Sequence, residues 1–233
     1  MGNLRSGIAL MLALFMGSAS NAEDQLFWGF LETGKDASGY EPSELEEMQA
    51  KHLGNFRRLG EAGKLLLAGP VADSDREQRG IVVLKMADLS RVEEMFEPDP
   101  FVKNGLLNLK LQPMTLQHGA FDPDTDEEGF DEWVLVGLRI VDDETTISKE
   151  AWVRQAAAIK NMHAEDQVVL SARMKQGDWH QILVLPKPKV DDETPEAIQK
   201  AANEAVGQLP LVKANLVTPK LMPLYAGKGR IKP

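Results

Sequence analysis

The sequence predicts an α+β protein built from two copies of one small domain. The segment 99–114 (DPFVKNGLLNLKLQPM) returns at 209–224 (LPLVKANLVTPKLMPL), an offset of 110 residues. A repeat of this length is typical of a duplicated domain. The chain has 233 residues, enough for two domains of about 100 residues each. The same order of predicted strands and helices also occurs twice.

The first copy is predicted to run strand, helix, strand, strand, helix, strand. Apolar residues recur at steps of three and four between Leu45 and Leu59, so they share one face of a helix that Ser43 is expected to cap, with Glu46 at the capping-box spacing. Apolar runs bounded by Gly and Pro predict the strands, at 25–31, 65–70, 80–85 and 107–111. The second helix is expected at 89–96. This order is that of the ferredoxin-like split βαβ fold.

The second copy follows an acidic segment without periodicity, residues 119–131. Strands are predicted at 133–140, 167–174, 179–185 and 217–224, with helices from Ser148 to Met162 and from Pro195 to Val206. The predicted organisation is a signal peptide (1–22), a first domain (23–118), an acidic linker (119–131), a second domain (132–225) and a basic tail (226–233). We expect the tail to be mobile.

The charge of the chain argues against two classes of partner. The formal net charge is −10. Nucleic-acid binding needs clustered Lys and Arg, and adsorption to anionic membranes needs the same, so neither is expected. The expected partner is a small molecule.

The N-terminus has the pattern of a secretory signal peptide. Arg5 precedes an apolar run at 7–17, and Ser20-Asn21-Ala22 offers small residues at the two positions that a signal peptidase reads. We expect cleavage after Ala22 and an exported protein, periplasmic or extracellular, with no membrane association after cleavage. An uncleaved anchor is the alternative.

The residue types exclude several kinds of site. The chain contains no Cys, so disulfides, thiolate nucleophiles and Cys metal ligands are impossible. Its four His residues show no metal-ligand spacing, and no phosphate-binding loop or nucleophile elbow is present. The sequence therefore predicts no metal and no cofactor.

The first copy closely resembles the YCII-related domain over about residues 25–116. The resemblance is carried by MQAKH at 48–52, GKLLLAGP at 63–70, GIVVL at 80–84, DPFVKNG at 99–105 and Pro113. It implies a ferredoxin-like fold that commonly dimerises through its sheets, the dimeric α+β barrel. It also implies a cleft with a His–Asp pair, proposed as acid–base machinery. Members include a dehydrochlorinase acting on a chlorinated aromatic ring, and the fold is similar to that of muconolactone isomerases.

By position, the helix His of the family is His52 and the Asp of its DPF motif is Asp99, and we expect these two to be catalytic. A His among apolar helix positions is more often a packed residue. An Asp before Pro can equally cap the turn that follows it. For Asp99, both roles can hold at once.

Four further residues are candidates for substrate binding. Gly69 and Pro70 form a turn that could shape the cleft, and Asp73 follows them at a position that is acidic in some family members. Arg57 follows His52 on the helix and could bind an anionic substrate. A solvated loop acid and an exposed helix cation are the alternatives for Asp73 and Arg57.

The second copy departs from the family pattern. The position of His52 falls near Gln155 or Ala156, SARM at 171–174 stands where AGPV would be, and Leu209 replaces Asp99. We interpret this copy as a degenerate YCII-like domain whose sheet replaces that of a second chain. The protein is then a monomeric pseudo-dimer, with a homodimer as the alternative.

Two functions follow from these observations. The first is an exported lyase or isomerase in which His52 moves a proton on a small molecule. The second is a non-catalytic binding or scaffold protein on the same fold. A cavity that contains His52 within hydrogen-bond reach of Asp99 would favour the first.

Overall fold

A computed structural model describes residues 24–125, 127–142 and 146–233. The predicted signal peptide lies outside the described residues.

The first half contains the four strands and two helices in the predicted order, together with a short third helix that was not predicted. The elements are β1 (Gln25–Thr33), α1 (Pro42–Glu61), β2 (Leu65–Pro70), β3 (Gln78–Met86), α2 (Val92–Phe96), α3 (Pro100–Lys103) and β4 (Leu107–His118). A 3₁₀ turn at Leu89–Arg91 leads into α2, and Asp88 caps it by accepting a hydrogen bond from the N–H of Ser90 at 2.7 Å. The strands pair antiparallel in the order β2-β3-β1-β4, the ferredoxin-like order.

The second half repeats this arrangement. After the short strand β5 (Ala120–Phe121), its elements are β6 (Phe130–Ile140), α4 (Lys149–Ala164), β7 (Leu170–Met174), β8 (Gln181–Pro186), α5 (Pro195–Gly207), α6 (Pro210–Lys213) and β9 (Val217–Gly227). Its strands pair in the order β7-β8-β6-β9, which is the order of the first half. The prediction of two tandem ferredoxin-like domains is confirmed.

The two halves join into one nearly closed barrel of eight strands. At the first seam β4 pairs with β7, with Met114 opposite Met174 and Thr115 opposite Arg173. At the second seam β2 approaches β9 through a bridge between Val71 and Leu224. Each half therefore supplies the partner sheet of the other, as the pseudo-dimer prediction requires.

The barrel interior is a packed core. Trp28 and Phe30 from the first half meet Trp179, Leu135 and Met222 from the second, all of them buried. The outer face of each half-sheet is covered by its own helices, and separate apolar clusters fill those layers. Because side chains fill the lumen, the space for a ligand lies outside the barrel, beneath the helices.

Three local predictions are wrong. Helix α1 begins at Pro42 with Glu41 at the N-cap, and the Glu44 carboxylate accepts from the Glu41 N–H at 2.8 Å, because Pro is favoured at the first helical position and moves the cap from Ser43 to Glu41. The segment 119–131 contains β5 and the first residues of β6. The tail is ordered rather than mobile: β10 (Ile231–Lys232) pairs with β5, and Ile231 is buried in the core.

Among the helices of the described residues, none combines the length and apolarity that crossing a bilayer requires.

Candidate functional site

A cavity of about 720 Å³ lies between α1 and the outer face of the first half-sheet. Its walls are largely apolar, and include Leu31, Phe56, Ala68, Ile81, Phe101 and Leu107. His52 also lines it, projecting from the third turn of α1. The cavity therefore brings a titratable ring into an apolar surrounding that is open to ligands.

His52 and Asp99 form a buried pair at the cavity wall. The His52 Nδ1 and Asp99 Oδ2 atoms are 2.7 Å apart, and the side chains are 9% and 0% exposed. The rings of Phe56 and Phe101 hold the imidazole, with centroids 4.3 Å and 5.4 Å from it. Since Nδ1 faces the carboxylate, Nε2 is the ring nitrogen left for a ligand.

The second oxygen of Asp99 caps α3. Its Oδ1 accepts from the backbone N–H of Phe101 at 3.1 Å and of Val102 at 3.3 Å. The capping role that the sequence left open for Asp99 is therefore observed, and the cap fixes the carboxylate that contacts His52. Three hydrogen bonds to one buried carboxylate offset the loss of its hydration.

Gly69 and Pro70 line the cavity from the end of β2, at the second seam. A side chain at Gly69 would overlap the backbone carbonyl of Tyr225 on β9. Glycine is therefore required here because two backbones of different halves come close together. Gly69 and Pro70, which the sequence predicted to shape the cleft, thus also lie where β2 meets β9 and the barrel closes.

The sequence of this region matches a known family. Residues 26–115 match the model of the YCII-related domain. The first half of the chain contains a YCII-related domain. No curated protein matches the chain in sequence. The match ends before β5, so it does not include the second half.

Solved structures show the same two-domain fold across nearly the whole chain. A proposed monooxygenase from Fusobacterium nucleatum has a TM-score of 0.53 at 12% identity, covering 91% of this chain and 95% of its own. A chlorite dismutase variant from Candidatus Nitrospira defluvii, in complex with cyanide, has a TM-score of 0.52 at 11% identity, with coverages of 87% and 91%. A heme-binding protein from Thermus thermophilus has a TM-score of 0.50 at 14% identity, with coverages of 88% and 91%. At these identities the likeness is one of fold.

Asp73 lies away from the cavity of the YCII-related domain and joins the two halves. Its carboxylate accepts from the Gln78 N–H at 2.8 Å and pairs with Lys220 of β9 at 2.9 Å. Burial opposes ionisation of Asp73, but the Gln78 N–H and the Lys220 ammonium outweigh it and lower its pKa. The pKa of Lys220 is raised, because its acidic partners outweigh its own burial. These contacts occupy Asp73 in the interface between the halves.

Arg57 is exposed on α1 and is not among the cavity-lining residues. The basic groups that do line the cavity are Lys35, after β1, and Arg79, on β3. Thr33 and Gln49 add hydrogen-bonding groups, and Asp36 adds one acid. The sequence places Arg79 in a charged loop before the strand at 80–85, and no sequence signal ties it or Lys35 to His52.

Phe130 brings the second half into the site of the YCII-related domain. It stands at the start of β6, is 74% exposed, and lines the cavity. The sequence placed it in the acidic linker. An apolar ring this exposed is a candidate contact for a ligand, since it has little role in packing.

The second half has lost the His–Asp pair. Gln155 is the α4 residue that faces the N-terminus of α6, and its Oε1 accepts from the Leu211 N–H at 3.1 Å. Its Nε2 donates to Gln181 Oε1 at 3.2 Å. Leu209, at the position of Asp99, is fully buried. The site predicted to be degenerate therefore has no acid–base pair, as the sequence indicates.

Proposed function

We propose that the protein moves a proton on a small molecule, as a lyase or an isomerase, with His52 as the acid–base group. The observation that supports this most is the 2.7 Å contact between His52 Nδ1 and Asp99 Oδ2 at the wall of a ligand-sized cavity. A histidine packed for stability alone needs no such space beside it. The geometry therefore favours the enzyme over the binding protein.

The pair is arranged to make Nε2 a base. An ionised carboxylate can only accept a hydrogen bond, so the neutral imidazole carries its proton on Nδ1 and leaves the Nε2 lone pair free. The same carboxylate stabilises the imidazolium that forms when Nε2 takes a proton. Asp99 is thus a positioning residue, fixed in turn by the N–H groups of α3.

Two reactions need only this group. In an elimination, Nε2 takes a proton from carbon, the C–H electron pair forms a double bond, and a leaving group departs with its bonding pair. In an isomerisation, the proton taken from one carbon returns from Nε2 to another carbon of the conjugated anion. Neither reaction requires an oxidant or a reductant.

The walls indicate the kind of substrate. The apolar side chains and Phe130 suit a small cyclic or branched carbon skeleton, and Lys35 and Arg79 suit an anionic group upon it. Hydrogen bonds from the Ser38 hydroxyl and N–H lower the pKa of Asp36, so this carboxylate is expected to repel an anionic group that Lys35 and Arg79 attract. We propose small cyclic carboxylates as the first substrates to test.

Deuterium exchange tests this function without knowledge of the product. The full chain is incubated in D₂O with a panel of cyclic unsaturated carboxylates, and the loss of C–H signals is followed by proton NMR. We expect exchange with at least one compound, abolished in His52→Gln and retained in the matched variant His163→Gln, which lies outside the cavity. Exchange that survives in His52→Gln contradicts the role of His52.

Ligand binding without catalysis is the second candidate, favoured by the absence of the pair in the second half. It predicts that panel members bind in the cavity, shown by shifts of His52 and Phe130 signals, with no exchange of their C–H groups. At 12% identity, the likeness to the proposed monooxygenase concerns the fold alone.

We also propose that the protein is exported, on the basis of the N-terminal pattern in the sequence. Expression in a bacterial host followed by mass measurement of the exported fraction tests it. A mass that corresponds to a chain beginning at Glu23 is expected, and a full-length chain in the cytoplasm contradicts it.

A further inference from the structure

A second cavity, of about 450 Å³, lies over the seam between β4 and β7. We call it the seam cavity and define it by its lining residues, Thr115, Gln117, Trp152, Arg173, Met174, Lys175 and His180. It has its own lining, which shares no residue with the cavity that contains His52.

The pairing of the two strands gathers the polar side chains. Thr115 and Arg173 are directly opposite each other, next to the pair Met114 and Met174. Both Met side chains belong to the core inside the barrel, so the neighbouring residues of each strand project outward. Side chains from both halves thus converge on one outer surface beneath α4.

The lining is basic in an acidic protein. Arg173, Lys175 and His180 line the seam cavity, and no Asp or Glu does. Among the described residues, neither Arg173 nor Lys175 forms an ion pair, although the chain carries a net charge of −10. Two unneutralised cations beside a cavity form a favourable place for an anion.

Trp152 holds the guanidinium of Arg173 in place. The Arg173 Cζ atom lies 3.8 Å from the centroid of the indole ring. A stacked guanidinium keeps its N–H edge free, and that edge matches the two oxygens of a carboxylate or phosphate. The side chain is therefore ordered before a ligand arrives, which reduces the entropy lost on binding.

His180 adds a hydrogen-bonding group rather than a charge. Burial lowers its pKa, so the ring is neutral near pH 7. The exposed Asp178 beside it favours the charged form but is outweighed. A neutral imidazole can still donate one hydrogen bond to an oxyanion.

The seam cavity differs from its counterpart in the first half. Arg173 stands at the position of Pro70, and Trp152 stands at that of Gln49 on the corresponding helix. At these two positions the second half therefore carries a cation and an aromatic ring, whereas the first half has neither. Loss of the pair is accompanied by a different set of binding groups.

We propose that the seam cavity binds a small oxyanion, through the guanidinium of Arg173 and the ammonium of Lys175. The ligand group is a carboxylate or a phosphate, and it binds independently of His52.

Calorimetry and NMR on the full chain test the proposal with inorganic phosphate and with citrate as separate probes. Ionic strength is held constant with sodium chloride, so that non-specific charge screening is equal in all titrations. We expect saturable binding of at least one probe, with shifts of the Arg173 Nε–H and Trp152 indole N–H signals. Binding of phosphate alone identifies a phosphate group as the ligand, and binding of citrate alone identifies a carboxylate.

Five variants make the result specific. Arg173→Gln is expected to weaken binding by about tenfold or more and Lys175→Gln by a smaller factor, because charge-assisted hydrogen bonds are lost. Arg173→Lys should restore part of the affinity, since it keeps the charge without the planar fork. The matched variant Lys200→Gln removes an exposed cation of α5, and His52→Gln alters only the first cavity, so both should bind as the wild type does.

Two results would overturn the proposal. One is the absence of saturable binding of either probe at millimolar concentration. The other is equal weakening in Lys200→Gln and Lys175→Gln, which would show attraction to the surface charge in general. Thermal melting of each variant identifies any variant that fails to fold. If Arg173→Gln fails to fold, the binding measured for Lys175→Gln decides whether the proposal stands.

Discussion

The Gln155 side-chain carbonyl accepts a hydrogen bond from the Leu211 N–H at 3.1 Å, at the place where the Asp99 carboxylate accepts from Phe101. In the first half the cap comes from the residue before the short helix, and in the second half it comes from the long helix above it. The buried Leu209 side chain has no acceptor atom to cap the short helix, so the Gln155 side chain accepts the hydrogen bond from the Leu211 N–H instead. The two halves solve the same structural problem with different residues.

Gln155→Ala should therefore destabilise the second half. The substitution leaves the Leu211 N–H and the side-chain carbonyl of Gln181 without the partners that Gln155 provides, and it opens a small cavity. The expected cost is about 2–3 kcal/mol in the free energy of unfolding. Urea denaturation measures it. Gln167→Ala, which removes an exposed amide, is the control and should change stability by less than about 0.5 kcal/mol. Equal effects of both variants would contradict the capping role.

Asp99→Asn should move the proton on His52 while keeping the fold. The amide oxygen must remain with the N–H groups of Phe101 and Val102, so the amide N–H faces Nδ1 of His52 and donates to it. The imidazole proton is then expected on Nε2, and the cavity loses its base. Nitrogen-15 NMR of the two ring nitrogens measures this change of tautomer. Identical ring spectra in the variant and the wild type would show that Asp99 does not orient His52.

The ion pair between Asp73 and Lys220 should make stability depend on pH in two windows. The pKa of Asp73 is lowered from 3.8, so its contribution is present above that value and is lost as the pH falls through the lower folded value. The pKa of Lys220 is raised from 10.5, so its contribution is present below that value and is lost as the pH rises through the higher folded value.

Lys220→Met tests the acidic window. We expect a loss of about 2 kcal/mol at pH 7, because a mostly buried carboxylate loses a charged partner, and a smaller loss at pH 3. Lys200→Met, which removes an exposed charge, should have little effect at either pH. A loss of the same size at pH 7 and pH 3 would show that the effect does not come from the charge pair with Asp73.

Gly69→Ala should weaken the second seam. The new methyl group overlaps the Tyr225 carbonyl, so β2 and β9 must separate, at a cost of about 2 kcal/mol. Gly54→Ala is the matched control, because a methyl group there meets nothing within 4 Å and α1 gains helix propensity. We expect it to stabilise the protein by roughly 0.5–1 kcal/mol. Thermal melting compares the two, and stabilisation by Gly69→Ala would refute the close approach.

The chain should remain a monomer in solution. Each four-stranded half-sheet has its two edge strands against the other half, with β4 beside β7 and β2 beside β9, so within the described barrel these edges are not left for a second copy. Sedimentation equilibrium at micromolar concentration should give the mass of one chain, which is 25.7 kDa for the full chain and correspondingly less for a chain that begins at Glu23. A mass of twice this value would indicate a homodimer instead.

The sequence predicts the topology because the repeat and the apolar periodicity are local signals. His52 and Asp99 were identified through ordered family motifs, and their hydrogen bond follows from the packing of α1 on α3. Phe130, Lys35 and the partner of Asp73 could not be predicted in this way. Phe130 and Lys220 depend on how strands far apart in the chain meet, and Lys220 lies 147 residues from Asp73. Lys35 depends on how the loop after β1 meets Gly105 within the first half.

The closing of the barrel within one polypeptide has a consequence for how such a protein can change. A barrel made of two identical chains repeats every substitution, so a residue that serves one site is imposed on the other. Here a substitution is made once. One half can keep an ionisable pair while the other buries a leucine and a glutamine in the same place, and neither is constrained by the chemistry of its counterpart.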